Sequence, residues 1–290
     1  MTDVSKIADA AELRVWAKQE VYTLAALVED LKASIDEDEY GEEEAGAESS
    51  EETQALAQKV MDEVLARQEI LKGSYPFECD GYKIQLKPGD ANKSTYVFCL
   101  GLSLLPPDNV SAHQRGVQFE TVAMRAANRF FRGQPLRVGH PLSNGAPTYK
   151  DLFDQVIKLI PDLGSPSDEA IKRGDGGWDV LIVKSFADNK FPRLIVLGNC
   201  ATSRAEWLSK GMETAPNYFW KSFKGRHESV VLTFLAVPFL MDDDDRLRKS
   251  YENAISFDRL RICEHAPESS QDIADWIEST REAALGVPLS

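Results

Sequence analysis

Two aspartates, Asp175 and Asp179, and an amide twenty residues beyond the second, Asn199, bracket two apolar runs in the segment KRGDGGWDVLIVKSFADNKFPRLIVLGNCATS, residues 172–203. The runs Trp178–Ser185 and Leu194–Leu197 are rich in Val, Ile and Leu. They are separated by the charged stretch Asp188–Arg193. Aliphatic and β-branched runs bounded by Gly, Asp, Asn and Pro predict two strands of a hairpin. Gly176 and Gly177 let the chain turn sharply before the first strand. The acids then stand at the start of one strand and the amide at the end of its neighbour. That is a way to offer oxygen atoms side by side, and oxygen atoms from carboxylates, amides, water and phosphate are what a hard cation such as Mg²⁺ takes as ligands. A second chemistry is open at the same place. Cys200 stands at a strand end and His227 further on, a thiol and a base, although a cysteine beside a core strand is most often buried filler.

The hairpin resembles the core of the PD-(D/E)xK, or restriction-endonuclease-like, superfamily. In that superfamily an Asp on one strand and an acidic or amide residue two before a Lys on the next hold the metal, and a Glu on a preceding helix often completes the site. Asp179 matches the first ligand, Asn199 the second and Glu120 the helical acid; Ala201 stands where the lysine belongs. The resemblance spans roughly residues 115–240. Its GDGGWD and GNCA elements are most similar to uncharacterised bacterial proteins associated with anti-phage defence. It implies a nuclease that cleaves DNA with Mg²⁺ or Mn²⁺, the ion held by Glu120, Asp179 and Asn199. Such a site also uses an ammonium near the attacking water or the developing charge. With Ala201 in the usual place, Lys210 is the first candidate for that cation, expected on a helix begun by Ser203 and Glu206. Lys184 and Arg204 stand behind it. Asp175 is a helper ligand or a turn former. Glu120 also has a plain structural reading, as an acid near a helix N-terminus, where the macrodipole favours one.

The net charge of −14 is unevenly spread. Residues 36–52, DEDEYGEEEAGAESSEE, hold ten acids and no base, so the rest of the chain carries only −4. From His113 to Leu232 there are 17 Lys and Arg against 12 Asp and Glu. The region with the candidate site is therefore the basic part of an acidic chain, which is compatible with contacts to a phosphate backbone. Arg125, Arg129 and Arg132 recur at steps of four and three, so they share a helix face. Together with Lys172, Arg173 and Arg204 they are the candidate nucleic-acid contacts. The four cysteines show no CxxC spacing and the four histidines no HExxH, so neither a zinc knuckle nor a zinc hydrolase is indicated. There is no GxxxxGK[ST]. The start of the chain lacks a signal-peptide pattern and no apolar run is long enough to span a bilayer, so a cytoplasmic protein without membrane contact is expected.

The remaining elements position these residues. Leu13, Ala17, Val21, Leu24, Val28, Leu31 and Ile35 form one apolar stripe, predicting a helix over 6–35. A second helix starts near Ser50, with Ser49 and Glu52 in capping-box spacing, and runs to Leu71. Joined by the acidic stretch, the two suggest an N-terminal hairpin over 1–72 that packs on the main domain or docks a partner or a second copy. Asp80-Gly81 predicts a tight β-turn. Tyr96–Leu105 reads equally as strand or buried helix. Gly116–Phe131 is a helix that turns Phe119, Val122, Ala123, Ala126 and Phe130 inward. Thr148 and Asp151 cap the next helix. Glu228–Leu240 is a long strand, Asp242–Asp245 open a helix, Arg259–Glu264 is a short strand and a last helix follows Ser269. The expected architecture is α/β: a restriction-endonuclease-like core over 73–290, a mixed sheet flanked by helices, with the helical extension before it. The alternative function is a catalytically silent version of that fold, a nucleic-acid-binding or scaffold subunit of a defence complex.

Overall fold

The computed structural model describes residues 4–38, 48–89, 91–105, 112–140, 142, 148–168, 170, 177–190, 192–205, 207–208, 210, 216–225, 229–252 and 254–289. The chain divides into two compact units, 1–106 with 267–290, and 107–266. The unit that holds the N-terminal helices thus also takes in residues 73–106 and the C-terminal segment, where the sequence suggested a boundary at 72.

In the first unit the single helix expected over 6–35 is two helices, α1 (Val4–Lys18) and α2 (Leu24–Asp38), separated by the short strand β1 (Tyr22–Thr23). The break occurs at Gln19, whose φ of 57° is left-handed. Thr23 then starts α2, its hydroxyl accepting the Ala26 N–H at 3.2 Å, which is the work of an N-cap. α3 (Glu48–Leu71) packs against both helices. β1, β2 (Phe77–Cys79) and β3 (Lys83–Leu86) form an antiparallel sheet in the order β1-β3-β2. The β2–β3 turn falls at Asp80-Gly81, with Gly81 at φ 88° and the Asp80 carboxylate accepting the N–H groups of Tyr82 and Lys83. These bonds to the charged form hold the Asp80 carboxyl below the usual carboxylate range. Tyr96–Leu105, open between strand and helix, is the helix α4 (Thr95–Leu104), with Ser94 accepting the Tyr96 N–H. Its residues Thr95–Leu102 are all buried, which is why no periodicity shows.

At the centre of this unit Arg67, 1% exposed, donates to Asp9 at 2.8 Å, Glu12 at 3.0 Å and Glu63 at 3.0 Å. Glu12 also accepts from the hydroxyls of Tyr96 and Tyr75. A charge this deep is tolerable only when paired and hydrogen-bonded.

The second unit is built on a five-stranded mixed sheet in the order β4-β5-β6-β7-β8. β5 (Val180–Lys184) is antiparallel to both its neighbours, β4 (Gln134–Arg137) and β6 (Leu194–Cys200); β7 (Val230–Ala236) and β8 (Ala254–Phe257) continue parallel to β6. The helices of this unit are α5 (Ala112–Phe131), α6 (Tyr149–Leu159), α7 (Pro216–Lys221), α8 (Asp243–Tyr251) and α9 (Arg259–His265). α6 starts with the full Thr148/Asp151 capping box and α8 with Asp242 as its cap.

α5 packs over β4, β5 and β6 on one face of the sheet and meets α9 there. Its final turn buries Phe131 and leaves Phe130 51% exposed, the reverse of the inward Phe130 expected. On the opposite face α6 places Leu152, Phe153 and Val156 against Trp178, Leu181, Val183, Ile195 and Leu197. Arg259–Glu264 was expected as a strand and is helix α9. Asp258 caps it by accepting the Arg261 N–H, and its buried residues Arg259, Ile262 and Cys263 follow helical spacing. Alternating Leu260 and Ile262 imitate a strand, and only the cap distinguishes the two. Among the described residues no helix is long and apolar enough to cross a membrane.

Candidate functional site

β5 and β6 pair with Val180 opposite Gly198, and Asp179 comes just before the first paired residue of β5. The ladder is irregular there. The Asp179 N–H donates at 2.9 Å to Gly198, the residue Val180 already faces, while the Asp179 carbonyl accepts from Val138 and Gly139 at 2.8 and 3.2 Å. Two successive residues opposite one is a β-bulge, a device that bends a strand and re-aims a side chain. The Asp179 carboxylate turns to the end of β6 and accepts the Cys200 N–H at 2.7 Å.

Glu120 reaches the same end of the sheet from α5. Its carboxylate accepts from the Arg137 guanidinium at 2.5 Å, and the two side chains are 13% and 5% exposed. It also lies against Gly139: a Cβ there would stand 2.5 Å from the nearer Glu120 oxygen. Because Gly139 donates its N–H to Asp179, Glu120 and Asp179 flank one residue of backbone.

Asn199 comes from the other side. Gly198 packs on the Phe234 ring, and Phe131 of α5 packs there too. Gly198 and Cys200 therefore belong to the face α5 covers. Alternation puts Asn199 on the opposite face with Ile195 and Leu197. Of the three ligands expected around one point, Glu120 lies on the α5 face near Asp179, and Asn199 points to the opposite face of the sheet. Asn199 is 1% exposed, and neither atom of its amide has a hydrogen-bond partner among the described residues. A buried amide left without any partner costs about 1–3 kcal/mol.

Lys210 was expected on a helix after Ser203. The described residues there form turns, with Ser203 accepting from Ala205 and Trp207. The reason lies in α8: the fully buried Lys249 ammonium donates to the carbonyls of Leu208 and Lys210 at 3.0 and 2.9 Å. A continuing helix would use those carbonyls for its own ladder. Lys210 and Arg137 both act on the Cys200 thiol. Burial, then Asp179 and Glu120, push that thiol well above its ordinary range, while Lys210 and Arg137 pull the other way. A thiol raised in this manner stays protonated and is a poor nucleophile, which argues against the cysteine chemistry left open by the sequence. His227 lies outside the described residues.

Among the described residues no group of three or more His, Cys, Asp or Glu is gathered as metal ligands would be. The candidate set is instead two carboxylates and an amide oxygen, all hard donors. The Asn199 amide, buried without a hydrogen-bond partner among the described residues, fits a hard cation in donor type. Lys184 is five residues along β5 from Asp179, roughly 16 Å away, and is exposed. Ala201 is 2% exposed and packs with Trp207 and Leu235.

Arg125, Arg129 and Arg132 are exposed. Arg129 donates to the His265 carbonyl at 3.0 Å, so part of its donor capacity goes to tying α5 to the end of α9. Arg204, also exposed, stacks over the Phe239 ring at 4.4 Å. Lys172, Arg173, Asp175 and Gly176 lie outside the described residues. Arg137, Gly139 and Lys249 were not singled out by sequence as parts of the site. Arg137 had been counted only toward the basic character of its segment, and strand alternation next to Val138 was the signal available. No protein-family model, curated protein or solved structure matches the chain.

Proposed function

We propose that the second unit is a divalent-metal-dependent nuclease of the PD-(D/E)xK type that cleaves DNA phosphodiester bonds, working in bacterial anti-phage defence. One observation carries the reading: the Asp179 carboxylate, just before β5, accepts the N–H of Cys200 at the end of β6, next in sequence to the buried Asn199, and α5 brings Glu120 to the same end of the sheet. Asp179 and Asn199 would hold Mg²⁺ or Mn²⁺, with Glu120 completing the carboxylate charge. When bound, the ion supplies Lewis acidity and an activated water. The protein groups do the rest. Asp179 is fixed by the Cys200 N–H, so its carboxylate needs little reorganisation. Lys210, on the loop clamped by Lys249, would supply the ammonium that meets a charged phosphate. Arg125, Arg129, Arg132 and Arg204 offer exposed guanidinium groups to the strand, with Lys172 and Arg173 in the same role.

Two observations favour the second reading, a catalytically silent member of the fold that binds nucleic acid or a partner: Ala201 replaces the expected lysine, and the Glu120 charge is already met by Arg137. Incubating the full chain with DNA and Mg²⁺ or Mn²⁺, beside Asp179→Ala and an EDTA control, separates the two. Metal-dependent cleavage lost in the variant supports the nuclease; equal background in both supports the silent module.

A further inference from the structure

The Glu120 carboxylate is held in a seat that the proposed ligand set does not itself provide. Arg137 sits on β4 directly opposite Val180, which places its side chain on the α5 face of the sheet. Its guanidinium is 2.5 Å from Glu120 Oε2. Two residues on, Gly139 closes the other side: a Cβ at that position would lie 2.5, 2.9 and 3.0 Å from the three atoms of the Glu120 carboxylate. The φ of Gly139 is not in the left-handed region, so its backbone suits alanine as well as glycine. The three nearest atoms to such a Cβ all belong to Glu120. The same residue donates its N–H to the Asp179 carbonyl, so the end of β4 fixes the spacing between the two acids.

We propose that Arg137 and Gly139 form the seat that orients Glu120 beside Asp179, with Arg137 a positioning residue for the metal-binding acid. The inference rests on the metal-dependent reading above. A guanidinium fork sets the plane of a carboxylate in a way an ammonium does not. Groups that orient a metal ligand typically change metal affinity by 10- to 100-fold when replaced. Two substitutions isolate the effect. Arg137→Lys keeps the charge and removes the fork. Gly139→Ala keeps both Arg137 and Glu120 and puts its Cβ against the carboxylate, a flexible side-chain end that can swing away without unfolding the sheet.

The test is Mn²⁺ titration of the full chain by electron paramagnetic resonance, with circular dichroism melting of each variant and Glu120→Gln for comparison. The expected result is a Kd for Mn²⁺ raised about tenfold or more in Arg137→Lys and in Gly139→Ala, matching Glu120→Gln, with melting temperatures within a few degrees of the wild type. A role in folding alone would lower the melting temperature and leave the affinity of the folded protein unchanged. Wild-type binding with both variants within twofold of it overturns the seat and leaves the nuclease reading standing. Failure of the wild type to bind Mn²⁺ overturns the metal-dependent reading, and this inference with it.

Discussion

Replacing Arg67 with Met removes the cation at the centre of the first unit while keeping most of the side-chain length. Arg67, Asp9 and Glu12 are 1%, 2% and 0% exposed, so solvent cannot take over when the guanidinium is gone. Two carboxylates would remain in the interior without the Arg67 charge, Glu12 still accepting from the hydroxyls of Tyr75 and Tyr96. Breaking a buried ion pair from one side costs about 3–5 kcal/mol, which for a unit of this size is a fall in Tm on the order of 10–20 °C. The loss carries a pH signature. Burial without a cation raises the folded-state pKa of the orphaned acids above their unfolded values. The folded variant then binds protons that the unfolded chain does not, so its stability falls as pH rises. Circular dichroism melts at pH 5 and pH 7 read both effects: a large deficit at pH 7 and a smaller one at pH 5. A deficit below about 1 kcal/mol, or one equal at both pH values, would refute the reasoning that this network stands on charge compensation.

Three further outcomes follow from the second unit. Gly198→Ala puts a Cβ 2.0 Å from the Phe234 ring; a clash this severe with a packed aromatic should cost at least about 1–3 kcal/mol, read as a lower denaturation midpoint at unchanged slope. Asn199→Leu removes two buried polar atoms that have no partner among the described residues, so stability should hold or rise by about 1 kcal/mol while Mn²⁺ binding is lost; a clear destabilisation would mean that the amide is satisfied in the native protein. Cys200 should resist alkylation by iodoacetamide through pH 8.5, because burial, Asp179 and Glu120 favour its neutral form. Lys210→Met removes a cation that lowers that thiol, so the onset of alkylation should move to still higher pH; an onset at lower pH would show that Lys210 is not near the thiol.

The strands of the second unit were legible because their signals are local. Leu194–Leu197 is a continuous aliphatic run and Val230–Ala236 a largely apolar one, and strands buried on both faces over most of their length read that way. Asp179 and Asn199 could be assigned to neighbouring strands because a hairpin fixes its own register. What escaped notice depends on the third dimension. The bulge at Asp179 leaves no compositional mark. The Arg137–Glu120 pair joins a strand to a helix that precedes it by a turn, and nothing in spacing alone selects that arginine over Arg132. Residues 207–210 were expected in a helix because Ser203 and Glu206 imitate a cap, whereas a lysine forty residues later takes their carbonyls. The break between α1 and α2 was hidden for a related reason: the apolar stripe runs through it unaltered, and Thr23, the residue that restarts the helix, lies between two of its members, Val21 and Leu24.

The central claim is that Asp179 serves metal-dependent phosphodiester cleavage. Its most direct test is the rate of supercoiled plasmid nicking by the full chain at fixed Mg²⁺, compared with Asp179→Asn, which preserves shape and the bond to the Cys200 N–H while removing the charge. The account predicts nicking that EDTA abolishes and that falls at least about a hundredfold in the variant, close to 3 kcal/mol of transition-state stabilisation. Identical rates in the two proteins, with or without metal, would contradict it.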